Sequence, residues 1–162
     1  MAHLFRTLLL VTFFSTAVIH AQPNYPRDPA AAQLTGIDVE NFVVAFKSLT
    51  ANSDTSAVIQ EMYLDKASQG LAEYVARFNL NAKDIANAIQ KYPTEYSKIE
   101  KFASSIETLK KDHIQEMEQY QSVLPNAMFP PTYLIVADFK GIAQASKYGQ
   151  LVSIEKIYTE NS

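Results

Sequence analysis

Hydrophobic positions along this chain follow two regimes. From Val39 to Leu124 they recur at steps of three and four, the spacing of one helix face, and from Thr132 onward they bunch into short runs of β-branched and aromatic residues. In the first regime Val39, Phe42, Val43, Phe46 and Leu49 share a face behind Asp38, which is placed to cap the helix. Val58, Ile59, Met62 and Tyr63 form a second face behind Asp54. Gly70 punctuates, and Leu71, Tyr74, Val75 and Phe78 restart the period; Asn81 then opens a segment carrying Ile85, Ala88, Ile89 and Tyr92. No proline falls between Pro93 and Pro125, which predicts one long helix over roughly Thr94 to Ser122. Its stripe runs Ile99, Phe102, Ile106, Leu109, His113, Met117, Tyr120 and on to Leu124. Such regularity predicts packing against other helices of the same domain.

Pro125 ends that helix, and Pro130-Pro131 keeps the chain extended. Thr132 to Phe139, TYLIVADF, reads as a buried strand, Gly141 and Gly149 bracket a polar loop, and Gln150 to Glu155, QLVSIE, reads as the return strand. The expected fold is mainly α with a small β portion (α+β), a helical domain of about five helices followed by two C-terminal strands. Two short strands bury too little surface to offset their ordering entropy alone. They must therefore pack on the helices or belong to something larger.

The N-terminus reads differently. After Arg6, an apolar run of about a dozen residues from Leu8 to Ile19 is too short for the roughly 20 that span a bilayer. It ends in Ile19-His20-Ala21 before the polar stretch QPNYPRDP, which is the pattern of a secretory signal peptide over residues 1–21, cleaved between Ala21 and Gln22. Pro23, Pro26, Pro29 and Gly36 make residues 22–36 an expected flexible leader, and the domain proper is expected over 37–162.

Composition narrows the function classes. The chain is 48% hydrophobic and 19% charged, ordinary for a domain with one core. Basic residues number 14 against 17 acidic ones, a net charge of −3; loss of Arg6 with the signal makes it −4. No basic cluster interrupts that balance, which argues against nucleic acid or anionic lipid as partner. Cysteine is absent, so no disulfide, lipid-attachment thiol or thiolate metal site is available. Export without a staple or a lasting membrane anchor points to a periplasmic or secreted protein.

Candidate chemistry is sparse. Beyond the signal the only histidine is His113, with Glu116 one turn on and Asp112 beside it. That excludes a two-histidine zinc motif, and the pattern reads more readily as a half-buried histidine on an apolar stripe than as a metal ligand. A nucleophile elbow, a P-loop and a dinucleotide fingerprint are all missing. The nine tyrosines fall mostly on helical stripes, where core packing accounts for them. Glu155 either marks the exit of the second strand into solvent or lines a cleft at the strand ends.

Three blocks in order, YLDKASQGL (Tyr63 to Leu71), PNAMFPPTYLIV (Pro125 to Val136) and Gly149 to Glu155, resemble the front half of a bacterial family of predicted zinc-dependent proteases. The resemblance spans roughly Asp38 to Glu155. It implies a helical N-terminal region leading into a strand, a glycine-rich loop and a second strand, followed in complete relatives by a zinc-binding His-Glu-x-x-His helix. No position of this chain matches that helix, and Ile142-Ala143 follow Gly141 where the family tends to have a second glycine and a threonine. The matched positions are Tyr133, Gly141, Gly149 and Glu155, which the resemblance makes candidate substrate-cleft residues. It implies zinc as cofactor only in complete relatives, and no catalytic, cofactor or metal residue here. The expected partner is a peptide or protein. The chain is therefore expected to be the N-terminal part of an exported zinc metallopeptidase-like protein, inactive as given. The alternative is a non-enzymatic exported helical domain that binds a peptide or protein partner.

Overall fold

A computed structural model describes residues 24–141 and 143–156. The expected signal peptide over residues 1–21 and the expected Ala21–Gln22 cleavage site lie outside the described residues. The fold is α+β and mainly α. Among the described residues six helices, α1 (Ile37–Ser48), α2 (Thr55–Met62), α3 (Gln69–Phe78), α4 (Ala82–Lys91), α5 (Pro93–Ala103) and α6 (Ile106–Val123), accompany four strands, β1 (Leu34–Thr35), β2 (Thr132–Ile135), β3 (Ala143–Ser146) and β4 (Gly149–Ser153). The described residues thus hold at least six helices and four strands, where the pattern predicts about five helices and two strands.

The helix starts follow local chemistry in two cases out of three. Asp54 accepts from the Ala57 N–H and Asn81 from the Asp84 N–H, each satisfying a free donor of the first turn. Asp38 does something else. Gly36 is the cap of α1, and Asp38, fully buried in the first turn, accepts from the backbone N–H and the hydroxyl of Ser68. Ser68 in turn caps α3 through the Leu71 N–H, so Asp38 ties the starts of two helices together. Gly70 does not break the chain either. It lies in the first turn of α3, where an added Cβ would sit 2.2 Å from the Tyr133 ring, so the glycine permits close contact of helix and sheet.

The long helix expected after Pro93 is two helices. Ser104 and Ser105 donate their hydroxyls to the carbonyls of Lys101 and Phe102, at 2.6 and 2.7 Å, which competes with helix continuation. The break seats Ile106 in the core, against Gly36, where a Cβ would meet its side chain at 2.6 Å. Beyond it the apolar stripe is only partly covered: His113 and Met117 are half-buried, while Tyr120 and Leu124 are exposed.

The sheet order is β1-β2-β4-β3. β2 pairs in parallel with β1 and β4, and β3 pairs antiparallel with β4. β4 is therefore not an antiparallel return along β2. The expected polar loop folds into β3, and a two-residue turn at Lys147-Tyr148 lets β4 insert between β2 and β3. β1 comes from the stretch expected to be a flexible leader. That stretch is held by the bond from the Phe129 N–H to the Pro26 carbonyl and from the Thr132 N–H to the Gln33 carbonyl, each 2.8 Å. Along β2 and β4 side chains alternate, so Tyr133 faces α3 while Thr132 and Gln150 face α6. The core joins Val39, Phe42, Ile59, Leu71, Ile85 and Ile99 of the helices to Ile135 and Leu151 of the sheet.

Candidate functional site

The chain leaves β2 at Ile135 and runs through Val136 to Gly141 across the C-terminal end of the parallel strands. In open sheets containing parallel strands this end is where ligands bind. Buried backbone groups need partners, and here they come from far along the chain. The Tyr63 hydroxyl donates to the Val136 carbonyl at 2.7 Å and accepts from the Val136 N–H at 2.9 Å. The Tyr96 hydroxyl donates to the Ala137 carbonyl at 2.6 Å. Glu155, 1% exposed, accepts from the Ala137 and Phe139 N–H groups, each at 3.2 Å.

Burial sets the protonation of this clasp. It pushes the Glu155 carboxyl upward against the lowering effect of its hydrogen bonds. It likewise pushes Tyr63 and Tyr96 well above the usual tyrosine range, and Tyr74 up to about 12, with the Glu155 charge contributing to each. All three hydroxyls are therefore donors at neutral pH. Ser153 Oγ lies 2.8 Å from both the Gly141 carbonyl and Glu155 Oε1. One hydroxyl hydrogen serves one of them at a time; a protonated Glu155 donating to Ser153 satisfies both.

The clasp holds an unusual backbone. Phe139 has φ of 67°, a left-handed conformation uncommon outside glycine, and its ring stacks on Tyr92 with centroids 4.4 Å apart. Such strain persists only where the surroundings over-determine it. Between the braced residues, Asp138 projects into two adjoining clefts. The larger, about 320 Å³, is lined by Asp84, Asn87, Lys91, Tyr92, Asp138 and Lys140. The smaller, about 180 Å³, is lined by Tyr74, Phe78 and Leu80, with Asp138, Lys140, Gly141 and Gln144 completing it. The Asp138 side chain is 6% exposed and pairs with Lys140 Nζ at 2.5 Å; that carboxylate raises the Lys140 ammonium.

The four candidate residues marked by the sequence divide between the two ends of the sheet. Gly141 and Glu155 meet at the strand ends through Ser153. Glu155 is buried and does not exit into solvent; it braces the loop that carries Asp138. Tyr133 sits within β2, opposite Leu151 and against Gly70. Gly149 starts β4, at φ of 139°, where a Cβ would lie 2.1 Å from the Pro131 carbonyl oxygen. These two serve packing and strand pairing away from the clefts. Asp138, Lys140, Tyr96 and Arg77 carry no motif that would single them out in the sequence, and Tyr63, the first residue of the block YLDKASQGL, is not marked there as part of a site. The acid inside the apolar run LIVADF is the one local signal for Asp138.

Nor is β2 the free edge of the sheet at Thr132 and Tyr133, since β1 and β4 flank it there. The outer strand on the other side is β3, whose sequence AQAS carries no charge and no proline to guard it. Arg77 of α3 donates to the Ala145 carbonyl at 2.6 Å. With the alternating pattern of an antiparallel pair, that places the Ala145 backbone groups on the outward side of β3.

His113 lies elsewhere, beside a cavity of about 370 Å³ between α6 and the Met128–Thr132 segment, lined also by Met117, Tyr120 and Phe129. Its Nε2 is buried without a hydrogen-bond partner, and burial lowers its basicity while Glu116 opposes the shift. The family resemblance implies zinc in complete relatives, and the residues here do not fit it: among the described residues no three His, Cys, Asp or Glu stand close enough to hold a metal ion. No helix among the described residues is long and apolar enough to cross a membrane.

Comparison of the chain with family models, curated proteins and solved structures finds no match in any of the three. The zinc-protease resemblance therefore rests on the residues quoted for it.

Proposed function

We propose that this chain is an exported, non-catalytic part of a peptidase-like architecture that holds an extended polypeptide along the free edge of β3. The observation that carries the reading is the pairing of that outer edge, whose own residues carry no charge and no proline, with the braced strand-end clefts beside it. Backbone hydrogen bonds from an added strand supply affinity in such sites, and neighbouring pockets select side chains. Arg77 now occupies the outward Ala145 carbonyl and would be displaced by the N–H of the incoming strand. Hydrolysis is no part of the role proposed for this chain, in keeping with the resemblance, which places the reacting centre on a helix that no residue here matches.

The test is titration of the purified chain with fluorescent, uncharged, extended decapeptides. Saturable binding, with slowed amide exchange at Ala143 and Ala145, is expected. Ala145→Pro removes an outward N–H without touching the bonds to β4, and should abolish binding while leaving the melt intact. Undiminished binding by that variant would sink the reading.

A second reading, a non-enzymatic helical domain with a protein partner, is favoured by one observation: Tyr120, Val123, Leu124 and Met128 stay exposed at the end of α6 and just after it. A footprint of the partner on Tyr120 and Leu124, with β3 unaffected, would favour it over edge binding.

A further inference from the structure

The smaller strand-end cleft has a composition that selects one kind of group. Its lining combines the apolar Tyr74, Phe78 and Leu80 with Gln144 of β3, Lys140 and the almost fully buried Asp138 carboxylate. Apolar walls leading to a buried carboxylate suit an aliphatic stem with a cationic head, because the stem covers the walls while the head answers a charge that is costly to leave alone. A single carboxylate does not hold a metal ion, and it repels an anion.

The molecule already fills this place with a group of that chemistry. The Lys140 ammonium lies on Asp138, yet the Lys140 side chain is 74% exposed, and the Asp84 charge adds to the pull on it. Lys140 can therefore leave into solvent without disturbing the core. The loop beneath stays in place, since its backbone is held by Tyr63, Tyr96 and Glu155.

We propose that this cleft takes the ammonium or guanidinium side chain of a Lys or Arg in a bound polypeptide, which replaces Lys140 on Asp138. The proposal rests on the edge-binding reading above. Gln144 belongs both to β3 and to the cleft, so a strand laid along β3 passes beside the cleft.

The experiment compares two small probes with the same stem, Nα-acetyl-lysine amide and Nα-acetyl-norleucine amide, by amide chemical shifts of the labelled protein. The lysine probe should shift Asp138, Gly141 and Gln144 saturably, and bind about tenfold or more tightly than the norleucine probe. Asp138→Asn should erase that preference. Lys140→Ala should tighten the lysine probe severalfold, because the resident competitor is gone; this direction does not arise from damage to the fold. Equal binding of the two probes, or weaker lysine binding by Lys140→Ala, would overturn the proposal. An uncharged peptide reports on β3 alone. Lysine selectivity without peptide pairing upholds the pocket and overturns the edge reading; pairing without selectivity does the reverse.

Discussion

The strand-end loop and the last turns of α6 are ordered by different means. From Val136 to Phe139 the backbone is held by side chains from α5, from the end of α2 and from beyond β4; the Tyr63 bond to Val136 spans 73 residues. Along α6 the backbone bonds are local, and past Ile106 its side chains are half-buried or exposed, with Val123 at 76% exposure. One long-range tie there joins Gln121 to the Arg27 carbonyl. A helix needs little beyond its own turns to keep its shape. A loop with a left-handed phenylalanine needs the whole domain, and can hold a ligand group in place because of it.

The comparison is open to measurement, and the largest effect belongs to Tyr63. Tyr63→Phe removes a hydroxyl that serves both polar groups of Val136, and should cost about 2–4 kcal/mol in urea unfolding, since two buried groups lose their partner. Tyr96→Phe frees only the Ala137 carbonyl and should cost about 1–2 kcal/mol. Equal losses for the two would show that hydrogen-bond accounting does not govern the loop.

Glu155 sharpens the contrast through pH. Burial raises its carboxyl above the ordinary 4.5, so the folded chain binds this proton more readily than the unfolded chain does. The resulting contribution to stability is complete below that ordinary value and is lost as pH rises through the folded value. Asp38, also buried and raised above its ordinary 3.8, acts in the same direction. Glu155→Gln should flatten the change in urea midpoint as pH rises above the ordinary 4.5. It should also lower stability by roughly 1–3 kcal/mol at the acid end, where the amide NH₂ confronts backbone donors. An unchanged pH profile in that variant would remove Glu155 from the account.

The smallest effect is expected on α6. Val123→Ser should stay within about 0.5 kcal/mol, because the side chain is already in water. A loss of 2 kcal/mol or more, on the scale of a core truncation, would mean that this face is covered in solution. Analytical ultracentrifugation of the same variant would then show whether a second copy covers it.

Much of the helical half is legible in the order of residues. Asp54 and Asn81 cap where short polar side chains ahead of an apolar period should, and Ile59, Ile85 and Ile99 are buried as their spacing requires. Asp38 misleads because a cap and a buried acid in the first turn differ by a small shift in register and by a partner, Ser68, that lies 30 positions away. The site is half legible. Gly141 and Glu155 are marked by the resemblance, and Glu155 also by its place at the end of a strand, but Asp138 is hidden inside a run that reads as strand.

The chain's own order of residues determined its helical period, two of its caps, the strand character of TYLI at the head of the run TYLIVADF and the want of a metal-binding histidine pair in the domain. Those properties depend on neighbours a few positions apart. Tertiary structure alone decided that β4 runs parallel beside β2, that a glycine-bounded loop becomes the edge strand β3, and that Tyr63, Tyr96 and Glu155 converge on one loop. A hydroxyl or carboxylate finds a distant backbone group only after the packed core has brought the two together, and no local spacing encodes that meeting.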